Sequence, residues 1–186
     1  MTSDVVIGES ADPHKPSTVR VWDLFVRVFH WSLVALIAVA FATGEESERL
    51  HAQVGYWIIG LVALRVVWGF IGTKYARFSD FVRPPSEVIG FVMQSLSLRA
   101  PRVLGHNPAG GAMIIVLLAM IGVVSATGIM LTSDAGWGSE AIEGIHEASA
   151  YLLLALVLVH VAGVLLTSFE HGENLVRAMF TGRKRV

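Results

Sequence analysis

The chain has 186 residues, 54% of them hydrophobic and 16% charged, a mean hydropathy of +0.62 and a formal net charge of −1. Such an apolar composition excludes an ordinary soluble domain of this length, and the near-neutral charge excludes a nucleic-acid partner, whose phosphates call for a concentrated basic face. Cysteine is absent, which rules out disulfides, thiolate metal sites, iron–sulfur clusters and a haem attached through Cys-x-x-Cys-His, so any redox cofactor is held without thiolates.

Residues 1–20 mix Asp4, Glu9, Asp12, Pro13, Lys15, Pro16 and Arg20 without apolar periodicity and read as a mobile cytoplasmic tail, with His14 a solvated residue in it. The first span, about 22–43, carries Asp23, Arg27 and His30 in its first third and is wholly apolar from Leu33 to Ala42, with Trp22 and Trp31 as interfacial anchors. Ala40-Phe41-Ala42 has the pattern of a signal-peptidase site. Cleavage there would discard His30, and three more spans follow, so the helix is read as uncleaved. The acidic turn Glu45-Glu46-Ser47-Glu48 is short, which makes the second span, about 51–72, an antiparallel neighbour of the first. Arg65 lies deep inside that span, fourteen residues after His51.

The longest connection, from Thr73 to Pro108, holds Lys74, Arg77, Arg83, Arg99 and Arg102. After Pro84-Pro85, the spacing of Val88, Phe91, Val92, Ser95 and Leu98 predicts a helix over about 86–98 lying on the membrane surface. Asn107-Pro108 reads as an N-cap and a first-turn proline opening the third span, about 110–132, which has no charge or histidine and is rich in Gly, Ala and Ser. An acidic connection with Gly136-Trp137-Gly138 leads to the fourth span, about 144–169. From Ala148 to Phe169, His160 is the only Asp, Glu, Lys, Arg or His, and it lies fourteen residues after His146. Residues 175–186 are a basic cytoplasmic tail.

Lys and Arg are divided twelve to one between the two sides, with only Arg49 on the minority side and Arg65 left inside a span. The positive-inside rule therefore places both termini and the long loop in the cytoplasm. The expected fold is all-α: a multi-pass four-helix bundle in the bacterial cytoplasmic (inner) membrane, surrounded by lipid.

Fourteen residues of helix fall about 40° short of four full turns and rise about 21 Å, so the two residues of each such pair share a face at opposite depths. Spans two and four both run inward, which sets His51 level with His146 near the outer surface and Arg65 level with His160 near the inner one. His30, in the outward-running first span, reaches the depth of His160. Ionisable residues inside a membrane need partners, and two imidazoles on facing helices without thiolate or carboxylate are what two axial haem ligands look like. Gly55 and Gly163 would either make room for a macrocycle or pack helices. Arg65 either neutralises a haem propionate or snorkels to the inner surface. His106 and His171 are surface residues, solvated or capping, or else proton carriers at a quinone site.

Val21-Trp22-Asp23 leading to Phe29-His30-Trp31, Leu50-His51 with Gly55-Tyr56, Arg65-Val66-Val67-Trp68-Gly69, Gly105-His106-Asn107-Pro108 with Gly110-Gly111, and Ile145-His146-Glu147 fourteen residues before His160 resemble the bacterial cytochrome b561 family. Its superfamily includes the b-type cytochrome subunits of nickel–iron hydrogenases. The resemblance covers about residues 20–180. It implies a di-haem transmembrane domain over 21–174 with two non-covalent b haems, the inner on His30 and His160, the outer on His51 and His146. It also implies electron transfer between quinone and a redox partner protein or a small oxidant such as superoxide. The short turn between the first two spans departs from relatives that build an outer substrate site there.

Bis-histidine ligation leaves no open iron position, which favours electron transfer over oxygen activation. The competing reading is a metal-ion transporter or scaffold using the same histidines. Zinc sites usually recruit three or four ligands, whereas each depth here offers two, and neither broken helices nor repeats occur near the midplane.

Overall fold

The computed structural model describes residues 18–134 and 136–186. In chain order these form β1 (Thr18–Arg20), α1 (Leu24–Thr43), α2 (Glu48–Ile71), a single 3₁₀ turn (Lys74–Ala76), α3 (Phe78–Phe81), α4 (Pro85–Leu96), α5 (Pro108–Leu131), α6 (Glu140–Glu170), α7 (Leu175–Thr181) and β2 (Arg183–Arg185). The fold is an all-α membrane bundle. Four helices, α1, α2, α5 and α6, are long and apolar enough to cross a bilayer, with mean hydropathies of 2.1, 1.9, 2.6 and 2.5.

Each long helix starts where a short polar side chain satisfies one of its free N–H groups. Asp23 accepts from Val26 N at 2.8 Å, Ser47 from Leu50 N at 3.4 Å, Asn107 from Gly110 N at 2.6 Å and Ser139 from Ile142 N at 3.4 Å. Pro108 follows Asn107 in the first helical position, where its missing N–H costs nothing.

The helices form two hairpins, α1 on α2 and α5 on α6, joined where α2 meets α5. Val54, Ile58, Ile121 and Leu153 form the core, with Leu33, Ile37 and Val157 packed around them. This apolar layer lies between His51 and Arg65 along α2 and between His146 and His160 along α6. Large apolar side chains such as Trp57, Phe70 and Phe169 point outward, 70%, 70% and 77% exposed, a surface suited to lipid rather than water.

Below the core the chain is more ordered than its composition suggests. Residues 1–17, which contain His14, lie outside the described residues, but Thr18–Arg20, read above as the end of a mobile tail, pairs antiparallel with Arg183–Arg185. The basic tail is likewise built into the fold as α7 and β2. The left-handed Gly182 (φ 76°) makes this possible: a Cβ there would sit 2.6 Å from Trp22 O, and its own carbonyl accepts from Val21 N and Trp22 N at 2.9 and 3.1 Å. Strand alternation turns Lys184 inward, and only 5% of it is exposed. Its Nζ lies 3.4 Å from Glu173 and donates to Val103 O at 3.0 Å. Both described ends of the chain therefore lie at one end of the bundle.

α4 packs against α5 and α6 through Phe91 and Ser95 and leaves Ile89, Met93 and Leu96 exposed. Glu170, at the end of α6, accepts from Ser95 Oγ at 3.0 Å and from Ala100 N at 2.7 Å. Leu98 lies beyond the helix with φ 53°, so it does not extend the predicted apolar face.

Candidate functional site

At the end of the bundle away from the termini, His51 on α2 faces His146 on α6, with ring centroids 6.0 Å apart and planes at 81°. Neighbouring helices hold both rings. His51 Nδ1 lies 2.9 Å from Ala40 O of α1, and His146 Nδ1 lies 3.0 Å from Val124 O and 3.0 Å from Thr127 Oγ1 of α5. A carbonyl oxygen can only accept, so each Nδ1 carries the proton and each Nε2 keeps its lone pair. This is the tautomer a metal-binding imidazole needs.

At the opposite end lie His30 of α1 and His160 of α6. Arg65 of α2 is at the same level and 3% exposed, so its head does not snorkel to the surface. Its Nη2 donates to Ala76 O at 3.1 Å and its guanidinium lies 5.5 Å from the centroid of Phe78, while Nη1 has no partner among the described residues.

His106 requires a correction, because it is half-buried, with its ring set among other side chains, rather than freely solvated. Its ring packs between Trp22 and Phe81 at centroid distances of 4.5 and 4.9 Å, and its Nδ1 is enclosed with no partner among the described residues. Burial, reinforced by the charges of Arg65 and Lys184 and by His160, pushes its pKa down to about 3, only partly offset by the Tyr75 backbone. His171, by contrast, caps the C-terminus of α6 and donates its backbone N–H to Thr167 O at 3.2 Å.

The residues fit a flat, two-coordinate prosthetic group in three respects. Two imidazoles bonded through nitrogen to opposite sides of one metal at about 2 Å have centroids about 6 Å apart, as the outer pair has. The histidine-bearing pairs α1/α6 and α2/α6 are not among the helix pairs whose backbones pack closely, and a Cβ at Gly55 or Gly163 would meet nothing within 4 Å. Neither glycine is therefore a helix-packing position. Finally, the five buried side-chain polar atoms without partners among the described residues, on Arg27, His30, Trp31, Arg65 and His106, all lie toward the end of the bundle that carries both described chain ends, where a group with anionic edges would meet them.

The sequence model of the prokaryotic cytochrome b561 family matches residues 21–182. The chain belongs to that family. Membership makes it a membrane b-type cytochrome, a haem protein of electron transfer. Among curated relatives, a probable Ni/Fe-hydrogenase B-type cytochrome subunit of Bradyrhizobium diazoefficiens is 21% identical over 213 residues, covering 90% of this chain and 86% of the relative. The protein of the same description from Rhizobium leguminosarum bv. viciae is 21% identical over 227 residues, covering 94% of each. No solved structure matches the chain.

What the motifs did not reveal was the surroundings of the histidines. Ala40 and Val124 act through backbone carbonyls, which no residue type advertises. A signal for them does exist in the repeated triplet Ala42-Thr43-Gly44 and Ala126-Thr127-Gly128.

Proposed function

We propose that this b561-family protein binds two non-covalent b haems and carries electrons across the cytoplasmic membrane between the quinone pool and a redox partner protein or small oxidant. His30 and His160 hold the inner haem, and His51 and His146 the outer one. The observation that carries this reading is the outer pair: two imidazoles 6.0 Å apart on different helices, each with its Nδ1 within 3.0 Å of a backbone carbonyl. Bound haem supplies reversible one-electron chemistry. The chain supplies fixed ligands, no open coordination position, and the apolar layer of Val54, Ile58, Ile121 and Leu153, which keeps water from between the two levels. Arg65, whose buried Nη1 has no partner among the described residues, would donate to a haem propionate at the inner level.

The orientation rests on charge. Twelve of the fourteen Lys and Arg fall on the side of the termini and long loop, which makes that side cytoplasmic. The hydrogenase-subunit relatives favour a redox enzyme as partner on one face. A zinc-transport role has no supporting feature, since no three His, Asp or Glu side chains converge among the described residues.

The test is a dithionite-reduced minus air-oxidised spectrum of detergent-purified protein, with haem counted per chain, for the native sequence and for His160→Ala. Two low-spin b haems per chain, falling to one in the variant, is the expected result. Colourless protein from haem-replete cells would overturn the proposal and return attention to metal binding.

A further inference from the structure

Two segments 84 residues apart in the chain approach the outer histidine pair in the same way. In α1, the carbonyl of Ala40 lies 2.9 Å from His51 Nδ1, and Thr43 Oγ1, three residues later, donates to Val39 O at 2.8 Å or to the same Ala40 carbonyl at 3.3 Å. In α5, the carbonyl of Val124 lies 3.0 Å from His146 Nδ1, and Thr127 Oγ1, again three residues later, donates to it at 2.9 Å or to Val123 O at 3.0 Å. One residue further on stands a glycine in each case. A Cβ on Gly44 would lie 3.8 Å from His51 Nδ1, and one on Gly128 would lie 3.2 Å from His146 Cε1. In both hairpins the helix that supplies the carbonyl precedes the helix that supplies the histidine.

We infer that the Ala-Thr-Gly triplets at 42–44 and 126–128 are a repeated positioning device, whose glycine leaves room for the imidazole and whose threonine tunes the carbonyl that fixes its tautomer. A helical carbonyl oxygen has two lone pairs, and the imidazole N–H can take one of them. The threonine hydroxyl is a second donor on that oxygen and competes with the imidazole. At Val124 the hydroxyl oxygen also lies 3.0 Å from His146 Nδ1, so it shares the imidazole proton while its own hydrogen points to a carbonyl. A ligand whose Nδ1–H is held more strongly is more basic and stabilises oxidised iron. The two triplets thus set the basicity and the 81° mutual rotation of one ligand pair from two sides.

This inference rests on the assignment of His51 and His146 as haem ligands, and the experiment separates the two. Holoprotein carrying Thr43→Val, Thr127→Val, Thr127→Ser, Gly128→Ala or His146→Ala is studied by haem quantification, redox titration and electron paramagnetic resonance of the ferric state. That resonance reports the angle between axial imidazole planes. His146→Ala identifies the outer signal by its loss; retention of both haems in that variant would refute the ligand assignment itself. Thr43→Val and Thr127→Val are expected to keep two haems and to move the midpoint potential of that same outer haem, downward for Thr43→Val, while the inner haem is unchanged. Thr127→Ser restores the native value, and Gly128→Ala changes the anisotropy of the outer signal. If the two threonine variants act on different haems, or leave both potentials unchanged while His146→Ala removes one haem, the triplets are not a positioning device. Thr127→Val preserves side-chain shape, so the test stands even if Gly128→Ala does not accumulate.

Discussion

The indole Nε1–H of Trp68, near the end of α2, donates to the carboxylate of Asp23, the cap of α1, at 3.0 Å. The same carboxylate accepts from Thr73 Oγ1 at 2.6 Å and from Val26 N at 2.8 Å, so one residue ties together the start of the first span, the end of the second and the loop beyond it. Burial alone would raise its pKa, but the Thr73 hydroxyl, the Val26 N–H, the Trp68 indole and the Arg65 charge outweigh burial and hold it below the ordinary 3.8. A depressed carboxylate stabilises the fold fully above its unfolded pKa, and that stability is lost as pH falls through the lower folded value. Asp23→Ala is expected to cost about 2–3 kcal/mol at pH 7, a lost cap plus an unpaired indole N–H. Thermal unfolding in detergent checks this. An unchanged melting temperature, or a variant that keeps the native loss of stability below pH 3.8, would contradict it.

His106 makes a different pH prediction. In the unfolded chain it protonates near 6.5, whereas in the folded state it stays neutral down to about 3. The unfolded state therefore binds the extra proton first. Stability is complete above pH 6.5 and declines toward pH 3 with a slope of at most about 1.4 kcal/mol per unit. His106→Gln should flatten the melting temperature between pH 6.5 and 4.5. Equal slopes in native and variant protein would show that the imidazole is not held neutral.

The setting of His106 between two aromatic rings also marks a boundary of what residue types convey. Four apolar spans and two fourteen-residue intervals are local patterns, and helical geometry alone converts them into faces and depths. Trp22 and Phe81, which enclose His106, come from segments 84 and 25 residues away, and no periodicity links them. Arg183-Lys184-Arg185 reads as a solvated charge run because its composition hides the strand alternation, and only pairing with Thr18–Arg20 turns the middle lysine inward. Arg65 stands out in the sequence as a charge inside an apolar span, but its cover, the Lys74–Ala76 turn and Phe78, is set by how the long loop folds back.

The buried ion pair beneath the strands is expected to lock the C-terminal segment. Glu173 is held by Arg102 at 3.1 Å as well as by Lys184 at 3.4 Å, so losing Lys184 alone leaves one partner in place. Lys184→Ala should cost about 3 kcal/mol, the lower end for breaking a buried pair, and Lys184→Met with Glu173→Leu should recover most of it. Hydrogen exchange at the Val21 and Trp22 amides, which donate to Gly182 O, gives the local readout. Unchanged protection in Lys184→Ala would mean that the strands are held by backbone pairing alone.

Arg65 lies almost fully enclosed near the end of the bundle that carries both described chain ends. A cation that is 3% exposed, with one donor on Ala76 O and another unpartnered, favours electron gain at any redox centre beside it. Across about 10 Å at an effective dielectric constant of about 20, its charge contributes about 1.7 kcal/mol, on the order of 70 mV for one electron. Arg65→Gln should therefore lower the midpoint potential of the haem that His160→Ala removes, and shift the other, about 21 Å further along the bundle, by about half as much or less. It should also weaken haem retention, because Gln keeps hydrogen-bonding capacity but no charge for a propionate. Arg65→Lys retains the charge and should restore most of the potential, but its single ammonium lacks the fixed fork that holds Ala76 O through Nη2 while leaving Nη1 free. Redox titration of the three proteins with haem counted per chain distinguishes the cases. If Arg65→Gln shifts neither potential and holds haem as the native protein does, the arginine serves only to anchor the Lys74–Ala76 turn.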